Sequence, residues 1–245
     1  MKINLSVILA VKNPDKKAME LCISSFCALK HSNNIELIVV SSDESLDLKT
    51  DVSSLHSVKV YKTPPDGVYS AYNFGVNKAT GDFLLFYGYD DIALPDLDKV
   101  IDKIIKSKSL YDVIACSSIM QGVGISKPSK YKPMILFKNL CHQGIFYKKS
   151  IFEKYKYDIK YLIQADHKLN IQLFSDRTIN IHFSELIVSY FSAGGVSSSV
   201  PDLVFRGDLI KITKNTFGNI FSVIIFFKQR VADILNKNFQ QRKKN

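Results

Sequence analysis

The sequence predicts an α/β domain with a mainly parallel central sheet flanked by helices, and three observations predict it. The short, almost wholly apolar run at residues 83–87 reads as a strand buried on both faces of a parallel sheet, 35–40 as another buried strand, and 3–11 is strand-like. Stretches of helical period alternate with them, which is the rhythm of βαβ units. The 245 residues are 46% apolar with 11 Gly and 7 Pro, which suffices for a large core and carries no signature of a disordered or fibrous chain.

Taken in order, residues 3–11 are the first strand, and Asn13-Pro14-Asp15 turns the chain into a helix that runs to about residue 30. Residues 35–40 are a second buried strand ending in the polar loop Ser41-Ser42-Asp43-Glu44-Ser45, and 57–61 are a third. The breaker Pro64-Pro65-Asp66-Gly67 precedes a helix over 68–79 with Val68, Ala71, Tyr72, Gly75, Val76 and Ala79 on one face. Residues 83–87 follow the turn signal Gly81, and Asp90 and Asp91 fall just past their carboxyl end. A helix over 95–106 starts with Pro95 in its first turn and Asp96 favouring the dipole. After a strand at 112–117 the rhythm changes. Residues 122–133 read as a basic loop, 144–147 as a short strand, 149–155 as a short helix, and 164–174 as a helix burying Ile163, Leu169 and Leu173. Residues 179–191 read as a strand closing in Ala193-Gly194-Gly195, and helices at 202–214 and 220–238 complete the chain. This divides it into a sheet domain, 1–200, and a basic amphipathic helical extension, 201–245.

The net charge of +10 is concentrated in two segments. Residues 127–160 hold nine Lys against Glu153 and Asp158, and residues 206–245 hold nine Lys or Arg against Asp208 and Asp233. Such segments fit an anionic partner, a phospholipid, a lipid-linked phosphate or nucleic acid, or a merely solvated surface. The second helical stretch of the extension carries a Phe/Ile/Val face, so it either lies on a membrane surface or packs on its own domain. Cys22, Cys27, Cys116 and Cys141 have neither CxxC pairing nor metal-ligand spacing and read as reduced thiols of a cytosolic protein. No secretory leader is expected at the amino terminus, and the longest apolar run, 220–227, is too short to span a bilayer. No nucleic-acid motif is visible.

The acidic pair Asp90-Asp91 is the chemical centre of this reading. Ligands of open α/β sheets bind outside the carboxyl ends of strands, where paired carboxylates can hold a hard cation and, through it, a phosphate. The pair can equally cap the helix that follows.

Four motifs together resemble the family 2 glycosyltransferases of bacterial polysaccharide synthesis, which have a GT-A fold. They are a first strand ending near Asn13; Asp66-Gly67-Val68-Tyr69-Ser70-Ala71-Tyr72-Asn73 with Gly75; Ala79-Thr80-Gly81-Asp82 leading to Phe86 and Asp90-Asp91; and His142-Gln143-Gly144-Ile145-Phe146-Tyr147 followed by Ala165-Asp166. The likeness spans about residues 3–195, and Gly194-Gly195-Val196-Ser197 is similar to the family's closing turn. It implies a hexosyl- or N-acetylhexosaminyl-transferase with a nucleotide-diphosphate sugar, a UDP-sugar, as donor. Asp91 would then bind a divalent metal (Mn2+ or Mg2+), and Asp166 would be the catalytic base of an inverting displacement. Val11, Asp43, Asn73 and Asp90 would contact the nucleotide sugar, with Ser41 the alternative to Asp43 at the base. His142 and Gln143 would lie near acceptor or diphosphate. The acceptor would be a lipid-linked glycan of capsule or O-antigen type, and the enzyme cytoplasmic and peripheral on an anionic membrane. Plainer roles exist for each side chain: Asp166 exposed on its helix, His142 satisfied in the core, Asn73 bonded within its own helix. A metal-dependent phosphoryl-transfer or hydrolase enzyme would also use Asp90-Asp91 but would leave Asp166 dispensable. A basic module for nucleic acid or an anionic membrane would need neither.

Overall fold

The computed structural model describes residues 3–46, 48, 50–107, 110–192 and 202–242. The first half contains β1 (Leu5–Val11), α1 (Lys16–Cys27), β2 (Ile35–Ser41), β3 (Ser57–Lys62), α2 (Val68–Lys78), β4 (Phe83–Tyr87), β5 (Ile92–Ala93) and α3 (Asp96–Ser107). The second contains β6 (Val113–Met120), β7 (Gly124–Ser126), β8 (Ile145–Lys148), α4 (Ile151–Lys154), α5 (Ala165–Ser175), β9 (Ile181–Phe191), α6 (Leu203–Phe217) and α7 (Asn219–Arg242). One sheet runs β3-β2-β1-β4-β8-β6-β9-β5, with β7 attached to β6. The long ladders are parallel, joining β3, β2, β1 and β4 on one side and β6 to β9 on the other.

Between them β8 runs antiparallel to both β4 and β6. A four-residue apolar run does not encode its direction. The region read as a basic loop also folds back on β6 as β7, through a turn in which Gly122 (φ 74°) and Gly124 (φ 101°) take the left-handed conformations that other residues resist.

Alternation along the strands divides the core into two layers. In β4, Phe83, Leu85 and Tyr87 pack with α1 and α3, while Leu84 and Phe86 pack with α2, α4 and α5. Glu36 of β2 breaks the apolar pattern, yet its carboxylate is fully buried. It accepts from Thr80 Oγ1 at 2.8 Å and Gly81 N–H at 3.1 Å, and these bonds with that from Ser6 outweigh burial and hold its pKa below the usual range. The Ala79-Thr80-Gly81-Asp82 motif is thus the turn whose donors hold a buried strand carboxylate in its ionised form. Gly81 has to be glycine there, because a Cβ would sit 2.6 Å from Ser6 Oγ.

Two local patterns come out differently from their sequence reading. In α2 the buried face includes Tyr69, whereas Val68 is exposed. In α5 burial extends to Asp166, His167 and Asn170 as well as Leu169 and Leu173, because Tyr69, Asn139 and His142 close over Asp166, Tyr147 and Asn139 over Asn170, and Phe205 of α6 packs on the His167 ring. Ala193-Gly194-Gly195-Val196-Ser197 lies outside the described residues. Phe205 of α6 and Ile225 of α7 join the same core layer as α5, so the last two helices share the core on one face of the sheet. All four cysteines are free, with Cys22 and Cys116 buried. Among the described residues no helix is long and apolar enough to cross a membrane.

Candidate active site

The carboxyl ends of β1, β2 and β4 point to one edge of the sheet, and Asp90 and Asp91 emerge there. Asp91 is 1% exposed. Its Oδ2 accepts from Gln143 Nε2 at 2.6 Å and Gly88 N–H at 2.9 Å, and its Oδ1 from Ser192 N–H at 3.3 Å. Burial nevertheless pushes its pKa above the ordinary aspartate value. Asp90 is half-buried, its pKa is also raised by burial, and its carboxylate is eased only by its own backbone N–H. A Cβ at Gly88 would lie 2.9 Å from Asp90 Oδ1 and 3.1 Å from Asp91 Oδ2, so both carboxylates crowd this glycine. Two desolvated carboxylates with raised proton affinity form an under-compensated site, and a cation would reverse both shifts.

The pair opens into a cleft of about 350 Å³ that Lys12, Tyr69, Tyr72, His142, Gln143 and Ile163 also line. A second hollow of about 340 Å³ adjoins it at the ends of β1 and β2, lined by Val11, Val40, Ser42, Thr63, Pro64 and Pro65. Lys12, Val68 and Leu162 border both.

Asp166, at the start of α5, lies one layer behind the cleft wall. Tyr69 donates to its Oδ1 at 2.8 Å, Asn139 Nδ2 to its Oδ2 at 2.7 Å, and His142 Nδ1 stands 3.7 Å from Oδ2. Burial alone would raise its pKa, but His142 and Tyr69 outweigh it and hold the carboxyl below the usual range. Asp166 is therefore ionised, and His142 separates it from the cleft.

The fold thus brings Val11, Asp90, Asp91, His142 and Gln143 to two adjoining hollows, with Asp166 directly behind. Asp43 and Asn73 are held elsewhere. The Asp43 carboxylate caps its own turn, accepting from Ser45 N–H at 2.9 Å and Ser45 Oγ at 2.7 Å, and lines a different hollow beside α1. Ser41, its alternative, is buried with its hydroxyl 2.9 Å from the Asp43 N–H. Asn73 clamps the backbone of Tyr157, donating to its C=O at 2.9 Å and accepting from its N–H at 3.1 Å. The sequence reading omitted Lys12, Asn139, Ser192 and the roles of Tyr69 and Tyr72. The two tyrosines stood inside a quoted motif, whereas nothing in the sequence marks Asn139 or Ser192.

Residues 6–165 match Glycosyl transferase family 2. The chain belongs to this family. A 195-residue alignment, covering 75% of this chain and 75% of the relative, is 31% identical to a PGL/p-HBAD biosynthesis glycosyltransferase of Mycobacterium bovis, and an identical level holds for its Mycobacterium tuberculosis counterpart. Among solved structures, the 1–349 fragment of Staphylococcus aureus TarS aligns with a TM-score of 0.67 at 17% identity, covering 87% of this chain and 66% of that one. The same fragment in complex with UDP aligns with a TM-score of 0.63 at 15% identity, over 88% of this chain and 72% of the other. The α/β architecture is therefore the one found in TarS, and the chain is a glycosyltransferase.

Proposed function

We propose that this glycosyltransferase moves a sugar from a nucleotide-diphosphate donor, a UDP-sugar, to a lipid-linked glycan by one inverting displacement. The observation that carries the reading is the under-compensated Asp90–Asp91 pair at the strand ends, facing a cleft behind which stands a fully compensated, ionised Asp166.

The residues fit a Mn2+ or Mg2+ ion. Among the described residues no cluster of three or more His, Cys, Asp or Glu could hold a metal, so two carboxylates would leave the remaining positions to donor phosphates and water, which is how Mg2+ is commonly bound. Asp90 is the freer ligand, while Asp91 is steadied by Gln143 and Gly88. When bound, the cation offsets the negative charge that grows on the departing diphosphate. Lys12, on the same wall, adds a positive charge beside that group. The base of the nucleotide goes to the hollow between Val11 and Pro64, where Ser42 is the polar group of the loop after β2.

Asp166 takes the proton of the attacking acceptor hydroxyl, with His142 as the imidazole between it and the cleft. Tyr69 and Asn139 fix the carboxylate before substrate arrives, so little reorganisation is needed at the reacting step. A single base on this side of the cleft supports inversion over a covalent intermediate. The basic segments support a lipid-linked acceptor at an anionic, cytoplasmic membrane face.

A thermal-shift screen against UDP, GDP, CMP and ADP, each with and without Mn2+, tests the donor site. A ligand at a hundred times its dissociation constant adds about 2.7 kcal/mol of stability. The expected result is stabilisation by UDP that needs metal and disappears in Asp90→Asn. Stabilisation by none of the four, or by UDP equally in the variant, overturns the reading.

A further inference from the structure

We propose that α6 and α7 are the surface by which this enzyme lies on an anionic lipid leaflet, with α7 inserting the apolar stripe on its outer side. The assignment rests on the lipid-linked acceptor proposed above and names the part of the chain that meets the lipid.

Helix α7 has two apolar faces. Ile225 is fully buried and Ser222 nearly so, against α6 and the domain. On the other side Ile220, Val223, Ile224, Phe227, Val231, Ile234 and Leu235 are 43% to 77% exposed. Their spacing follows the helical period, so they form one stripe about 22 Å long at 1.5 Å per residue. Isolated exposed apolar residues are ordinary, but a continuous stripe of this length marks an interaction surface. The helix is not apolar enough to span a bilayer, which leaves lying in the interface as its membrane geometry.

Charge selects the occupant. The two acids of the hairpin are already neutralised: Asp233 by Arg206 at 2.6 Å and Asp208 by Lys160 at 2.9 Å. Lys211, Lys214, Lys228 and Arg230 are exposed, and among the described residues none lies within ion-pair distance of a carboxylate. An apolar stripe on a helical hairpin whose exposed cations lack carboxylates within ion-pair distance complements an anionic leaflet. A second copy of the same surface would bring like charges together.

The stripe also ends in the right place. Gln229 Nε2 donates to Arg206 C=O at 2.8 Å, so α7 runs back along α6 and its distal part lies beside the first turn of α6. That turn is capped by Asp202, whose Oδ2 accepts from the N–H groups of Ile163 at 3.1 Å and Gln164 at 3.3 Å. Ile163 and Leu162 line the catalytic cleft. Leu162 on the cleft wall and Leu203 and Val204 at the start of α6 are all more than half exposed, so apolar side chains also stand on the segments between α7 and the cleft. A glycan whose lipid anchor stays in the leaflet then reaches the cleft without leaving the surface.

The chain contains no tryptophan, so Phe227→Trp supplies a single fluorescent reporter on the stripe, and Leu21→Trp, exposed on α1 across the sheet, is its control. With the whole chain and vesicles of phosphatidylglycerol and phosphatidylcholine, the stripe reporter should shift to the blue and the control should not. Pure phosphatidylcholine vesicles should move neither. The triple variant Val223→Ser, Phe227→Ser, Val231→Ser should lose at least about tenfold in vesicle partition. Its metal-dependent stabilisation by UDP should be unchanged. An unmoved stripe reporter, wild-type partition by the triple variant, or a dimer in solution that this variant dissociates overturns the proposal. Vesicle binding without any nucleotide response would instead count against the donor reading and leave the stripe assignment standing.

Discussion

Asp91 and Asp166 stand on either side of His142, and both are almost wholly buried, at 1% and 7% exposure. Burial alone pushes both pKa values up, yet the outcomes are opposite: Asp91 stays above the ordinary value and Asp166 falls below it. The difference lies in the partners. Asp166 faces the His142 imidazole, the Tyr69 hydroxyl and the Asn139 amide, whereas Asp91 has one amide side chain and backbone N–H groups and sits next to another carboxylate. One region of the cleft is electrostatically complete within the protein, and the other is completed only by something bound.

The largest test of this contrast removes the completed carboxylate. Asp166→Asn keeps the shape and should lower turnover about 10²- to 10⁴-fold while leaving metal-dependent UDP binding near wild type. Steady-state kinetics beside thermal shift would break the assignment if both fell together. Asp90→Asn should do the reverse, abolishing metal-dependent nucleotide binding and lowering kcat/KM about 10³-fold, which corresponds to several kcal/mol of charge stabilisation.

Acid titration of the metal-free protein reads both regions at once. Asp90 and Asp91 have raised folded pKa values, so their contribution is present below about 3.9 and is lost as pH rises through the folded values. Asp166 has a lowered value, so its contribution is present above about 3.9 and is lost as pH falls through the folded value. Urea midpoints followed from neutral to acid pH should show a stabilising component that Asp91→Asn removes, then a destabilising one that Asp166→Asn removes. Saturating Mn2+ should erase the first alone.

Smaller effects sharpen the boundary between catalysis and scaffolding. Gln143→Ala strips the Asp91 carboxylate of its side-chain donor and should cost about 1–3 kcal/mol in chemical denaturation. Asn73→Ala breaks the two bonds to Tyr157 and should cost about 2 kcal/mol with no change in donor KM. A rise in KM there would return Asn73 to the donor site.

Much of the fold was legible because it rests on local pattern. The buried strands β1, β2 and β4 follow from their apolar character, and the acidic pair follows from its place after β4. What was not legible depends on neighbours distant in sequence. Asp166, His167 and Asn170 look like the polar side of a surface helix until Tyr69, Asn139 and His142 close over the first, Phe205 of α6 over the second and Tyr147 over the third. Asp43 looks ready for a nucleotide base until its turn with Ser45 occupies it, and Asn73 until it meets Tyr157 from 84 residues away.

The sequence by itself determined that a parallel-rich sheet would form, where its strands would end and which carboxylates would lie at those ends, because hydrophobic period and turn chemistry act over a few residues. Only the tertiary structure decided the direction of β8, the separation of Asp166 from the cleft by His142, and the opposite electrostatics of the two buried aspartates. Those outcomes depend on which donors arrive at each oxygen, several of them, such as Asn139 at Asp166 and Ser192 at Asp91, brought from 27 and 101 positions away, and the desolvation and hydrogen-bond effects that compete there exist only once the chain has closed around them.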